Sequence, residues 1–456
     1  MAKQLLYFIV IENILKRPGG IMEWPIFQMP FIGNRLLIAI VGVIHVCISH
    51  GMAVGGSYFV VFLHYKSIRE NNMRLNELAL KVLRIFFIIT TSFGALTGVG
   101  IWLTTATVSP VTIGSLLHVF FWVWFTEWIV FVLEVILIMF YYLGWRKYGP
   151  QKGLKIGIIY VIASWLTMML ITGILGAMLT PGKWLATKSL WDGFFNPTYL
   201  PQLLTRTFLA ALLSVSFGIL ITRFLKSYRD QWQTVWRFAG ISFLVTAPVF
   251  LFGIMSYYHV LPQHVGHLIP TALMTLKYSA YANFSKILFF VIVLLLITFG
   301  AILLLKKKDY IIISFIPILV MIFAVGQFER VREFIRKPFT INEYLYSNSI
   351  RQAEKPFLDK DGILNYSGWA ARTTAETDPT LKKGEMIFKI ECSTCHTYSG
   401  VNGITKKTDV LKSKALIENF LKTYKRSHPY MPPFTGLDEE RTALATYLDK
   451  IVGAEK

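Results

Sequence analysis

Charge is what this sequence has least of. Asp, Glu, Lys and Arg together make up 16% of its 456 residues, against roughly 25% in an average soluble domain. Acidic residues are the scarcer half, 26 against 46 Lys and Arg, which leaves a net charge of +20. So few charges exclude a disordered chain, which needs many charges and few apolar residues. Three cysteines exclude a disulfide framework. Pro and Gly, 18 and 32 in number and without a fixed period, exclude a collagen-like repeat. What is abundant is apolar: 54% of residues are hydrophobic, 35 are Phe, and the mean hydropathy is +0.52. A basic chain points to nucleic acid only where its cations form a patch. Here they sit in short stretches between long apolar runs, so nucleic acid is excluded as a partner and a lipid membrane takes its place.

Apolar runs of about 20 residues mark membrane helices. Eight are expected, at Leu36–Leu63, Val82–Leu103, Leu116–Leu143, Ile156–Leu179, Leu203–Ile221, Phe238–Tyr258, Ile287–Leu305 and Tyr310–Phe328, the last interrupted by Pro317. Basic residues alternate between the loops. Fifteen follow spans one, three, five and seven, among them Lys66, Arg146, Arg223 and Lys306, while the other loops offer four, Lys183, Lys188, Lys277 and Lys286. By the positive-inside rule the rich loops are cytoplasmic, so both termini lie outside. The expected setting is the cytoplasmic (inner) membrane of a bacterium, crossed several times. Residues 1–34 are basic, and their apolar stretch Leu5–Ile11 is too short to span, so an interfacial helix is expected there.

The fold class is all-α: a polytopic bundle of about eight spans over residues 35–330, then a small soluble helical domain over 380–456. Between them, 331–379 has no sustained apolar period and reads as a signature segment and linker. Within the soluble domain Cys392-Ser393-Thr394-Cys395-His396 is the C-x-x-C-H attachment signature of one covalent c-type haem. Two thiols on one helical turn meet the two vinyl groups, and the adjacent imidazole meets the iron. The stretch resembles a mono-haem cytochrome c, and Met431, 35 residues after His396, falls where that family places its second axial ligand. His396 and Met431 are thus the expected iron ligands of a low-spin electron-transfer haem; His428 is the rival for the second position. Haem c is attached outside the cytoplasm, which agrees with the side that loop charge assigns to the C-terminus.

Ionisable residues inside spans are expensive and are functional candidates. His45 and His50 lie in span one; His118, Glu127 and Glu134 lie in span three. Glu127 and Glu134, seven apart, share a helix face about 10 Å apart along the axis, which suits a haem ligand and a proton-carrying carboxylate; structural hydrogen bonding between helices is the alternative. The stretch from Arg35 to Met52 resembles the first helix of cytochrome bd-type oxidase subunit I, in which a His ligates an active-site haem, and His45 falls on it. Span three, with Gly144-Trp145 before a basic loop, resembles the helix carrying that family's two glutamates; Glu134 falls on the second and Glu127 one residue off the first. Glu333-Phe334-Ile335-Arg336-Lys337-Pro338-Phe339 resembles the family's Glu-Tyr-Gly-Arg-Gln-Pro-Trp, which gives Glu333 a role at the membrane haem iron and Arg336 one near haem propionates.

The departures carry information too. The loop between spans six and seven has only about 28 residues, too few for the family's quinol-binding loop. Thr205 and Arg206 stand where the family's low-spin haem His should follow Asn196-Pro197, the position near Leu288 lacks the Met, and Glu329 replaces a Trp. His118 and His259, the latter near His264 and His267, are further candidate metal ligands, with interfacial contacts as the alternative. What the resemblance implies is an oxidoreductase, a bd-like terminal oxidase subunit reducing O₂ with electrons from cytochrome c. It would hold one or two haems b or d in the membrane, with Glu127, Glu134 and Arg336 serving catalysis. It would work with a second membrane subunit of the bd subunit II type and a periplasmic electron-donor protein. A non-catalytic electron-transfer anchor, or a quinol-linked reductase feeding haem c, are the competing expectations.

Overall fold

The computed structural model describes residues 24–274, 284–305 and 311–454. The expected interfacial helix at Leu5–Ile11, and the basic residues Lys277 and Lys306–Lys308, lie outside them. Among the described residues, eight helices are long and apolar enough to cross a membrane: Gly33–Arg69, Met73–Val108, Pro110–Tyr148, Pro150–Leu179, Tyr199–Phe224, Lys226–His259, Ile287–Leu305 and Ser314–Ile335. They are called spans one to eight. Several outrun the apolar stretches that predict them, because helix propensity and caps, not hydropathy, decide where a helix stops. Asn72 opens span two, its side-chain oxygen accepting from Leu75 N at 2.9 Å. Between spans three and four the chain turns on Gly149 alone (φ +85°), and Pro150 starts the next helix at its first position.

Contacts divide the chain into two compact units. One comprises Ile40–Ile101 and Val119–Ile335; the other comprises Met1–Ala39, Trp102–His118 and Arg336–Lys456. In the first, small residues let helices approach closely. A Cβ on Gly55 of span one would stand 2.0 Å from the Ala210 carbonyl oxygen of span five, and Gly240 and Gly300 bring spans six and seven together in the same way. Spans one and two each widen into a π-helical turn, at Ser49–Val54 and Thr90–Gly94, a local change of pitch that recurs at functional sites. Pro248 and Pro317 lie inside spans six and eight without ending them.

The second unit is built around the C-terminal helices. Pro379–Ile387 packs on Asp438–Ala454, and Gly384 permits the crossing, since a Cβ there would meet the Ala443 carbonyl oxygen at 2.3 Å. The stretch expected as a linker is not one. Phe339–Ile341 pairs antiparallel with Leu345–Tyr346, short helices follow at Lys355–Asp361 and Gly368–Thr373, and Ile350, Ile363 and Trp369 are buried in the same core as Ile387 and Leu444. The buried side chains are spaced irregularly because turns, not one long helix, bring them inward. Ile26 of the N-terminal segment joins that core as well.

Candidate functional site

The haem c motif is positioned by the helix before it. Asp378 caps Pro379–Ile387, its carboxylate accepting from Thr380 N and Leu381 N at 3.0 and 2.9 Å, and a π-helical turn at Phe388–Cys392 leads into the motif. Cys395 N and His396 N both donate to Cys392 O, at 3.0 and 2.9 Å, so the thiols and the imidazole share one tight turn. The thiols are not joined in a disulfide. Asn402, in a left-handed conformation (φ +57°), fixes the ring: its carbonyl accepts from His396 Nδ1 at 3.0 Å, while its side chain donates to Cys395 O at 2.7 Å. That leaves Nε2 as the lone-pair nitrogen, the arrangement usual for a metal-bound His. Burial, helped by the cations Lys407, Lys337 and Arg35, holds the imidazole pKa down to about 4, so the ring is unprotonated at physiological pH. The donor set therefore fits a covalently attached haem.

The Met431 loop is tied to the motif through Glu391. One carboxyl oxygen accepts from Thr435 N at 3.0 Å and the other from Asn348 Nδ2 at 2.7 Å, and burial pushes this acid up to about 8. Tyr424 OH donates to Pro432 O, and Met431 N donates to His428 O at 2.9 Å. Of the rival ligand His428, Nδ1 pairs with Ser427 Oγ at 2.8 Å and the ring lies edge-on to Phe420 and Tyr430.

In the membrane bundle His45 of span one faces span two. Its Nδ1 lies 3.1 Å from Thr97 Oγ1, and Gly98 leaves room for the ring, since a Cβ there would stand 3.3 Å from Cε1. The Thr97 hydroxyl proton is already committed to the carbonyls of Phe93 and Gly94. The Thr97 oxygen is thus placed to accept from Nδ1–H of His45. His50 is different. The Arg206 guanidinium, which can only donate, reaches His50 Nε2 at 3.0 Å, and Ser49 Oγ lies 3.0 Å from Nδ1. Both ring nitrogens are thus in use.

Arg206, buried in span five, also meets Glu329 at 3.4 Å, and Glu329 is held by Arg332 at 2.5 Å. Span five thus offers a guanidinium at the position where the resemblance calls for a haem-ligating His, and it is locked into an ionic cluster. A guanidinium has no lone pair to give iron, so the residues there do not fit a low-spin haem. This cluster joins spans one, five and eight, and pattern reading misses it because its members lie far apart in sequence.

Glu134 is buried on span three, with Glu127 half-buried seven residues before it. Glu333 is half-buried in the last turn of span eight; Arg336, which begins the second unit's final segment, is buried. His118 and His259 are exposed, and among the described residues no group of three His, Cys, Asp or Glu is arranged to hold a metal ion. His64 is structural, stacked on Trp145 with Nδ1 on Tyr141 OH.

Comparison with known proteins follows the same division. Residues 379–448 match the family model "Cytochrome C oxidase, cbb3-type, subunit III". No curated protein matches the chain. Among solved structures it is similar to the bd oxidase from Geobacillus thermodenitrificans, at 18% identity and a TM-score of 0.54, over 68% of this chain and 89% of that one. At that identity the likeness is one of fold. The chain is a haem-containing electron-transfer protein of the membrane, in which a helix bundle with the fold of a bd oxidase continues into a cytochrome c domain.

Proposed function

We propose that this chain is the haem-bearing subunit of a respiratory terminal oxidase that reduces O₂ with electrons delivered through haem c. The observation that carries the reading is His45. Its Nδ1 lies 3.1 Å from Thr97 Oγ1 on span two, in a bundle of bd oxidase fold, on the same polypeptide as the C-x-x-C-H turn. Bound haem supplies one-electron chemistry at the soluble site and, at an iron with an open position, the reduction of O₂.

The residues divide the remaining work. Cys392 and Cys395 anchor haem c, and His396 and Met431 ligate it. His45 and Glu333, with Glu127 as a further candidate, hold one or two haems b or d, and the Arg336 guanidinium pairs with propionate carboxylates. Glu134, buried where bulk water is excluded, takes and passes protons at its carboxyl, which reduction to water consumes. A second membrane subunit and an external electron-donor protein complete the assembly, with the cytochrome c domain on the outer face of the cytoplasmic membrane.

The Arg206 cluster favours one rival, a non-catalytic electron-transfer anchor, because it removes a haem position. A pyridine haemochrome spectrum together with a reduced-plus-CO difference spectrum on the purified complex separates the two. The oxidase reading expects haem c plus a b- or d-type haem that binds CO, and oxygen uptake. Haem c alone, or membrane haems blind to CO, would sink it in favour of the anchor.

A further inference from the structure

We propose that Arg35, at the entry to span one, is a positioning residue for haem c that seats the attachment loop and raises the reduction potential of the group bound there. The geometry lies within the second unit. Arg35 Nε stands 3.1 Å from Cys395 Sγ, the atom through which the macrocycle is bonded once attached, so its guanidinium lies at the haem periphery. Two backbone features fix that approach. Val401 N donates to Phe31 O at 2.8 Å, and Gly400 lies so close over Phe31 that a Cβ would stand 2.2 Å from the same carbonyl oxygen. Asn34 stiffens the incoming segment, accepting from Met29 N at 2.9 Å and donating to Phe27 O at 2.6 Å. Residues 31–35 and the loop 395–401 thus form a built contact in which a cation meets the haem-bearing thiol.

Electrostatics gives the sign. The ferric group carries one positive charge more than the ferrous one, and a guanidinium stays protonated at every relevant pH. A half-buried cation a few ångströms away is only partly screened, so it opposes the ferric state more than the ferrous. Reduction places one electron on the iron; no bond forms or breaks, and no proton moves. Arg35 therefore makes haem c a stronger acceptor for electrons arriving from outside. The inference rests on haem attachment at Cys392 and Cys395, not on what the membrane haems reduce.

The test is a potentiometric titration of the full-length complex, following the haem c α-band, with covalent haem staining to show that each variant carries the group. Arg35→Gln should shift the midpoint downward, and Arg35→Lys should leave it near the wild-type value. Gly400→Val, whose side chain drives the loop off Phe31, should also shift it downward. An Arg35→Gln protein that titrates at the wild-type potential overturns the proposal, as does an Arg35→Lys protein that falls as far as Arg35→Gln. Should Arg35→Gln fail to accumulate, a wild-type potential in Gly400→Val overturns it equally.

Discussion

At the scale of single residues, the side chains that do most are the ones that orient others. Thr97 has no redox chemistry, yet its oxygen, 3.1 Å from Nδ1, holds the His45 ring in place. Outer partners of this kind are typically worth about 10–100-fold in metal affinity or activity. Thr97→Val should therefore lower membrane haem retention and oxygen uptake by roughly that factor, and Thr97→Ser should restore both; a Val variant with full haem content would remove Thr97 from the site. Glu391 gives a pH prediction. Folded, this acid keeps its proton to about pH 8; unfolded, it releases it near the ordinary Glu value of about 4.3. Between those limits the folded state binds more protons, so stability falls as pH rises through that window. Thermal loss of the haem c absorbance in the full-length protein should come at lower temperature at pH 8 than at pH 5, and Glu391→Gln should flatten the difference.

At the scale of elements, the ionic cluster of spans one, five and eight decides which deletions are costly. Glu329→Leu leaves the buried Arg206 and the half-buried Arg332 without their shared carboxylate. Stranding buried charge costs about 3–5 kcal/mol. Arg206→Leu should cost less, because Glu329 keeps Arg332. Cys47, buried in span one, is the one thiol left free once haem c is attached, so its labelling by a thiol-reactive dye on heating reads out the order. Equal melting of the two variants would show that the cluster is not a helix tie. Legibility in the sequence follows the same physics. The spans are readable because each must present about 20 apolar residues to lipid. Their true ends are not, because Asn72 and Gly149 act through backbone geometry. The C-x-x-C-H turn is readable since its chemistry is local. Asn402 and Glu391 are silent, and so is the pairing of His50 with Arg206, because only folding brings each to its partner.

At the scale of the whole molecule, loop charge predicts that both ends of the bundle face outward. A periplasm-dependent reporter such as alkaline phosphatase should be active when fused after Lys456 and inactive when fused after Lys308. The reverse pattern would invert the whole orientation, and it would place haem attachment in a compartment that does not carry it out.

The packing of residues 339–373 has a practical consequence for anyone wishing to isolate the electron carrier. A cut just before Pro379, where the family likeness begins, would strip Ile350, Ile363 and Trp369 from the interior and expose a greasy scar over Ile387 and Leu444. A severable version has to begin no later than Phe339. Even then it lacks Ile26 and the arginine beside the second thiol, which arrive from the far end of the polypeptide. The segment around Ile26 and the residues from Phe339 onward are therefore coupled: a recombination event that swapped the cytochrome portion alone would import a domain missing part of its own interior.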